Sequence, residues 1–193
     1  MSEDVPVVGG IVLAAGGGSR FGATKQLAEL RGRPLLSYAV ESMLSVPAIW
    51  PIVVVLGHDA PAIQARVEFH EANVVVCDSW REGQSASLRA GVEALGDVDA
   101  AVVTLGDQPF ITPQVVAGSL DFDEHYHDAV RTTYGGAPGH PVVLTRRLLE
   151  RVGDLRGDVG FRDLLVGQRV RRFEAGHLCD PTDVDTQEEL ARL

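Results

Sequence analysis

The 193-residue sequence is short of cysteine, of aromatic side chains and of positive charge, and each shortage removes a class of function. Two cysteines, Cys77 and Cys179, cannot build a disulfide framework and lack CxxC spacing, so both read as buried or semi-buried thiols. No apolar run reaches the roughly 18 to 20 residues of a membrane span. The opening MSEDVPVVGG is acidic where a secretory signal is basic, so the expectation is a cytoplasmic protein with no membrane partner. Lys plus Arg number 17 against 27 Asp plus Glu, a net charge of -10 that repels a phosphate backbone and argues against a nucleic-acid partner. A small anionic ligand would then need a few well-placed cations, and Arg20 and Lys25 stand out because they lie beside glycines. Trp50 and Trp80 are isolated and are expected to pack rather than to form a base platform.

What is present is an alternation of short apolar runs with amphipathic stretches. Gly10 to Ala15, GIVLAA, reads as a buried parallel strand running into a glycine-rich loop. Pro34 to Leu44 opens with a proline suited to a first helical turn and spaces Leu35, Tyr38, Ala39 and Met43 on one face. Ile52 to Leu56, Val74 to Cys77 and Ala100 to Leu105 repeat the strand signal, with helices expected from about Pro61 and over Ser85 to Leu95. After Pro109 the rhythm loosens. Thr112-Pro113 begins a helix, Val130 to Tyr134 and Pro141 to Leu144 flank a Gly/Pro-rich turn, Thr145 to Val152 is helical, and Thr186 to Glu189 has capping-box spacing. The expected fold is α/β: a Rossmann-like, doubly wound, mostly parallel sheet with a mixed or antiparallel C-terminal edge, in one domain over residues 1–193.

The chemistry concentrates in AAGGGSRFG, Ala14 to Gly22, with Lys25 just beyond. Such a loop leaves backbone N–H groups free to cradle phosphate oxygens. A dinucleotide GxGxxG would need glycine at Phe21, and a Walker loop would need lysine at Ala23, so neither pattern fits. Asp107 follows a strand and is placed at the carboxyl edge of the sheet, where doubly wound folds bind ligands, and Asp185 could reach the same edge. Mg²⁺ needs only one or two protein carboxylates when phosphate and water supply the rest. Local sequence equally allows Asp107 as a turn former, Asp185 as a helix cap, and Asp183 in place of Asp185.

The stretch Leu13 to Leu36, LAAGGGSRFGATKQLAELRGRPLL, closely resembles the signature of the molybdenum-cofactor nucleotidyltransferases. The resemblance continues through EGQSASLRAGVEAL, GDQP at Gly106 to Pro109, GHPVVL, RGDVGFRDLL and DVDT, and these later segments look most like the MocA-type cytidylyltransferases. It implies that Leu13, Ala14, Ala15, Gly16, Gly17, Gly18 and Ser19 carry the nucleotide, with Arg20 and Lys25 holding the triphosphate and acting, with Asp107, in catalysis. Asp107 and Asp185 would bind Mg²⁺. Gly83, Gln84 and Ser87 would read the base or ribose, although Ser85 or Ser87 could equally be a plain N-cap, and Asp78 could line the same pocket or simply form a turn. His140 is either on the acceptor side or a satisfied turn histidine, and His58 is expected as an exposed loop residue.

The implied reaction moves CMP from CTP to a molybdopterin-type phosphate and releases pyrophosphate, with a molybdenum enzyme or its chaperone as a protein partner. Ala15 leans toward CTP because the guanylyl branch commonly reads LAGG. The competing expectations are GTP as donor, a sugar or polyol phosphate as acceptor, a flavin- or nicotinamide-dependent oxidoreductase, and a maturation factor that binds without turnover.

Overall fold

The computed structural model of the chain describes residues 6–18, 20–157 and 161–193. The first strand, β1 (Val8–Ala14), is buried along its whole length, as an apolar run must be when helices cover both faces of its sheet. A minimal hairpin, β2 (Glu29–Leu30) and β3 (Arg33–Pro34), then leads into α1 (Leu35–Leu44). Pro34 stands at the N-cap of α1, and Leu36, Val40 and Met43 bury one face completely. Each such side chain contributes about 1.5–3 kcal/mol through removal from water.

The chain continues through β4 (Ile49–Leu56), α2 (Ala60–Gln64), β5 (Asn73–Val76), α3 (Gln84–Leu95) and β6 (Ala100–Leu105). β5, β4, β1 and β6 lie in that order and all run parallel. After α4 (Pro113–Gly118), the hairpin β7 (Ala129–Tyr134) and β8 (Ala137–Thr145) joins the sheet, with β8 antiparallel to β6. α5 (Arg146–Leu149), α6 (Phe161–Leu164), β9 (Val170–Glu174) and α7 (Gln187–Leu190) complete the described elements. β9 pairs parallel to β7 and closes the seven-stranded order β5-β4-β1-β6-β8-β7-β9. The mostly parallel sheet with a mixed C-terminal edge is therefore the expected one, although β9 itself carried no sequence signal: VRRFE places two adjacent arginines and a glutamate beside only two apolar residues, and none of the five is fully buried.

Two cores sandwich the sheet. One side unites Val12, Val54 and Val102 with Leu36, Val40 and Met43 of α1. The other unites Ile11, Val53, Val103 and Val142 with Ala86 and Leu88 of α3 and Phe161 of α6. Helices thus cover both faces, and the chain reverses its winding between β1 and β6. That reversal opens a crevice beyond the carboxyl ends of these two strands, where such folds hold ligands. Among the described residues no helix is long and apolar enough to cross a membrane.

Several local expectations change. The serines of α3 do not cap it: Gly83 occupies the N-cap with φ of 107°, a conformation open to glycine, and Ser85 and Ser87 lie buried inside the first turns. Trp50 does not pack; it is 55% exposed on the strand end. Thr186, not Asp185, caps α7, and its capping box with Glu189 is complete.

Candidate active site

The glycine loop leaves β1 at the winding reversal and is held by a residue that the sequence left without a role. Gln26 is buried, and its Nε2 donates to the carbonyls of Ala14 at 2.7 Å and Gly16 at 2.8 Å. Gly18 turns the loop at φ +57°, accepting backbone bonds from Phe21 and Gly22. Gly57 at the end of β4 lets the loop approach: a Cβ there would meet the Ala15 carbonyl oxygen and Trp80 at 2.7 Å. Ser19 and residues 158–160 lie outside the described residues.

Across the loop stands Asp107, just past β6. Lys25 Nζ lies 2.6 Å from Asp107 Oδ2 and 2.9 Å from Asp185 Oδ1, and Arg20 Nη1 lies 2.9 Å from Asp185 Oδ2. One ammonium touches both carboxylates, so both fall within reach of a single cation. Burial disfavours the Lys25 charge, but the charges and hydrogen bonds of Asp107 and Asp185 outweigh it and raise its pKa. Asp185 is held below the usual carboxylate range, first by the Lys25 hydrogen bond. Asp183 goes the other way, raised by burial and by the charge of Asp107, and accepts from Gln108 Nε2 at 2.6 Å. Of the two late aspartates, Asp185 is thus the one joined to the cations. The backbone helps to fix it, since the Val184 N–H donates to the Asp107 carbonyl at 3.1 Å.

Two depressions meet at Asp107. The smaller, about 90 Å³, lies among Ala14, Gly16, Gly18, Lys25 and Asp107. The larger, about 520 Å³, extends from Leu13, Ala15 and Gly16 toward Gly83, Gln84 and Ser87 at the start of α3. Most of the residues expected to carry a nucleotide therefore gather around one crevice, drawn from β1 and its loop, from Lys25 and from the start of α3. Gly17 stands beside it against the Trp80 ring. Arg81, which sequence reasoning passed over, lines the larger cleft together with Trp80, which was expected only to pack and does lie partly buried against the core; the Arg81 guanidinium is 4.4 Å above the Trp80 ring centroid. The only sequence signal for Arg81 was position, two residues before Gly83. His58 is half-buried with its ring 5.3 Å from that of Trp80, rather than exposed. Asp78 is exposed and does not line the cleft. His140 lies apart, at the β8 end of the same edge, edge-on to Phe161 at 5.4 Å. Its Nε2 is buried without a partner, and burial lowers its pKa to about 3, leaving it neutral at pH 7.

The donor set suits a divalent cation held mainly by phosphate. Asp107 Oδ1 is buried with no hydrogen-bond partner, and Asp185 faces the same ammonium. Among the described residues no three His, Cys, Asp or Glu side chains stand together as a group that could hold a metal ion.

The crevice at the winding reversal thus gathers a glycine loop, two cations and two carboxylates. The MobA-like NTP transferase domain matches residues 10–173, and the chain belongs to that family; by fold and family it is a nucleotidyltransferase. It is 33% identical to nicotine blue oxidoreductase of Paenarthrobacter nicotinovorans over an alignment covering 98% of each chain. A probable molybdenum cofactor guanylyltransferase of Thermococcus sibiricus is 32% identical over 55% of this chain and 51% of its own length. Among solved structures, Rv0371c of Mycobacterium tuberculosis superposes with a TM-score of 0.86 at 28% identity, over 97% of this chain and 96% of that one. Its complex with manganese gives 0.82 at 27% identity, over 97% of each chain.

Proposed function

We propose that the protein transfers CMP from CTP to a molybdopterin-type phosphate in a Mg²⁺-dependent reaction that releases pyrophosphate. The observation that carries this reading is the convergence of Arg20 and Lys25 with Asp107 and Asp185 beside the glycine loop. An acceptor phosphate is largely ionised near neutral pH, so its oxygen attacks the α-phosphorus without a strong base. The new bond joins that oxygen to the α-phosphorus, and the bond to the bridging oxygen of the β-phosphate breaks, its electron pair leaving with pyrophosphate. Catalysis then rests on alignment and on charge neutralisation. Lys25, kept charged by its two aspartates, and Arg20, whose side chain is 76% exposed, supply cations for the triphosphate. Asp107 and Asp185 would hold the Mg²⁺, which supplies charge for the phosphate oxygens. The manganese complex of the related Rv0371c supports a divalent ion. Gly83, Gln84 and Ser87, with Trp80, would receive the base and ribose.

Pyrophosphate release with molybdopterin as acceptor, compared across CTP, GTP, ATP and UTP, tests the assignment. CTP is expected to be fastest; a preference for GTP would remove the cytidylyl assignment and leave the reaction class. A second reading, an oxidoreductase, is favoured by the relative of that name. Titration with NADH, NADPH and FMN tests it: saturable binding with cofactor oxidation or reduction, and no pyrophosphate release with any nucleotide, would select it.

A further inference from the structure

Three arginines converge on a second cleft of about 470 Å³ at the far end of the sheet, and neither cation of the glycine loop contributes to it. Arg131 on β7 stands opposite Arg172 on β9 in parallel register, so both side chains share one face of the sheet. Arg162 of α6 faces them across the cleft, which Thr133 and Gln168 also line. Among the described residues none of these three arginines has a carboxylate within ion-pair distance, whereas Arg169 and Arg171 on the same segment are paired with Asp128 and Asp121. The Glu174 carboxylate, at the end of β9, is engaged by Thr133 Oγ1 at 2.8 Å and by the amides of Gly135 and Gly136. Arg131 Nε is buried with no hydrogen-bond partner. Burial, with the charge of Arg162 added, lowers the Arg131 pKa, so the cations crowd one another.

The position of this cleft is as telling as its charge. Leu13 and Leu105, which line the nucleotide cleft, belong to the same side of the sheet as Ala129, Val142, Leu165 and Val170 around the arginines. A single strand, β8, separates β6 from β7, so these two strands stand roughly 10 Å apart at about 4.8 Å per strand. His140, neutral and with an orphaned Nε2, lies on the strand between them.

We propose that Arg131, Arg162 and Arg172 form an oxyanion site for a phosphate or carboxylate group of the acceptor, remote from the phosphate that reacts. This rests on the transfer reading for the word acceptor, but not for the site itself. A chain of net charge -10 repels anions at most of its surface, and three converging guanidiniums with forked donors reverse that locally. The site would select acceptors with a second anionic end and orient them along β8 toward the nucleotide.

The test uses inorganic phosphate as the probe, titrated by calorimetry into the wild type, Arg162→Gln/Arg172→Gln and Arg20→Ala/Lys25→Ala. The exposed pair is chosen because its loss leaves the core intact; Arg131→Lys provides a third variant that keeps the charge and removes the fork. The arginine pair is expected to weaken one phosphate site roughly tenfold or more, while the loop variant retains that site. Phosphate binding abolished by the loop variant and untouched by the arginine pair would overturn the proposal without bearing on the transfer reaction. In the pyrophosphate assay, phosphate is expected to raise the acceptor KM and leave kcat unchanged. A fall in kcat at saturating acceptor would make the cleft an effector site and overturn the acceptor assignment.

Discussion

Replacing Gln26 by methionine isolates the contribution of the loop anchor. Methionine matches the length and flexibility of glutamine and removes both bonds from Nε2, at 2.7 and 2.8 Å, to the carbonyls of Ala14 and Gly16. Each such bond contributes about 0.5–1.5 kcal/mol net. The Ala14 carbonyl belongs to a residue that is 6% exposed and stays poorly hydrated, whereas Gly16 is exposed and its carbonyl regains water. Gln26 Oε1 is itself buried without a partner, so its removal relieves a desolvation cost and offsets part of the loss. The net destabilisation is about 1–2 kcal/mol, which for a domain of this size lowers Tm by roughly 2–8 °C. Because the freed loop must be ordered again when phosphates bind, nucleotide affinity should fall about tenfold as well. Thermal denaturation followed by circular dichroism, with calorimetry for CTP, reads both quantities. A Tm within a degree of wild type together with unchanged affinity would refute the idea that Gln26 sets the loop. Gln26→Glu should be worse than Gln26→Met at pH 7, since a carboxylate would face two carbonyl oxygens.

Asp107→Asn and Asp185→Asn should each remove most turnover while keeping the fold, and the double variant should be little worse than the poorer single one, because the residues act as a unit. Glu82→Gln, which loses only an exposed carboxylate 3.5 Å from Arg89, should have a much smaller effect in the same Mg²⁺ titration of pyrophosphate release. Arg20→Ala and Lys25→Ala should weaken CTP far more than cytidine in calorimetry, and equal losses for both ligands would mean that the loop does not hold phosphates. Asp128, 3% exposed, is held well below the usual carboxylate range by hydrogen bonding from Arg169, with burial opposing and Arg147 assisting. A depressed folded-state pKa stabilises above the unfolded value and is lost as pH falls through the folded one. Asp128→Asn should therefore cost on the order of 2 kcal/mol at pH 7, and urea denaturation should show that gap shrinking below about pH 4. A gap that stayed constant to pH 2.5 would show that shape rather than charge accounts for the loss.

Much of this protein is written locally. Continuous β-branched runs such as Ile52 to Leu56 are legible as buried strands because a strand covered on both faces has no polar side to reveal. The helix after Pro34 and the capping box at Thr186 follow from spacing alone. The loop residues Gly16, Gly18 and Lys25 were visible for the same reason: local sequence controls where glycine frees the backbone and where a cation follows it. Other features exist only in three dimensions. Asp185 joins Lys25 across 160 positions of sequence, and no local rule separates it from Asp183, whose environment pushes its pKa the opposite way. Gln26 carried no role in the sequence, and it became the loop anchor only when the fold brought the carbonyls of Ala14 and Gly16 to its amide. Strand β9 and the register that sets Arg131 opposite Arg172 depend on pairing energy from distant segments. Propensity and periodicity act over a few residues, so they determine elements and loops; the juxtaposition of charges from separate segments is decided by the winding of the sheet.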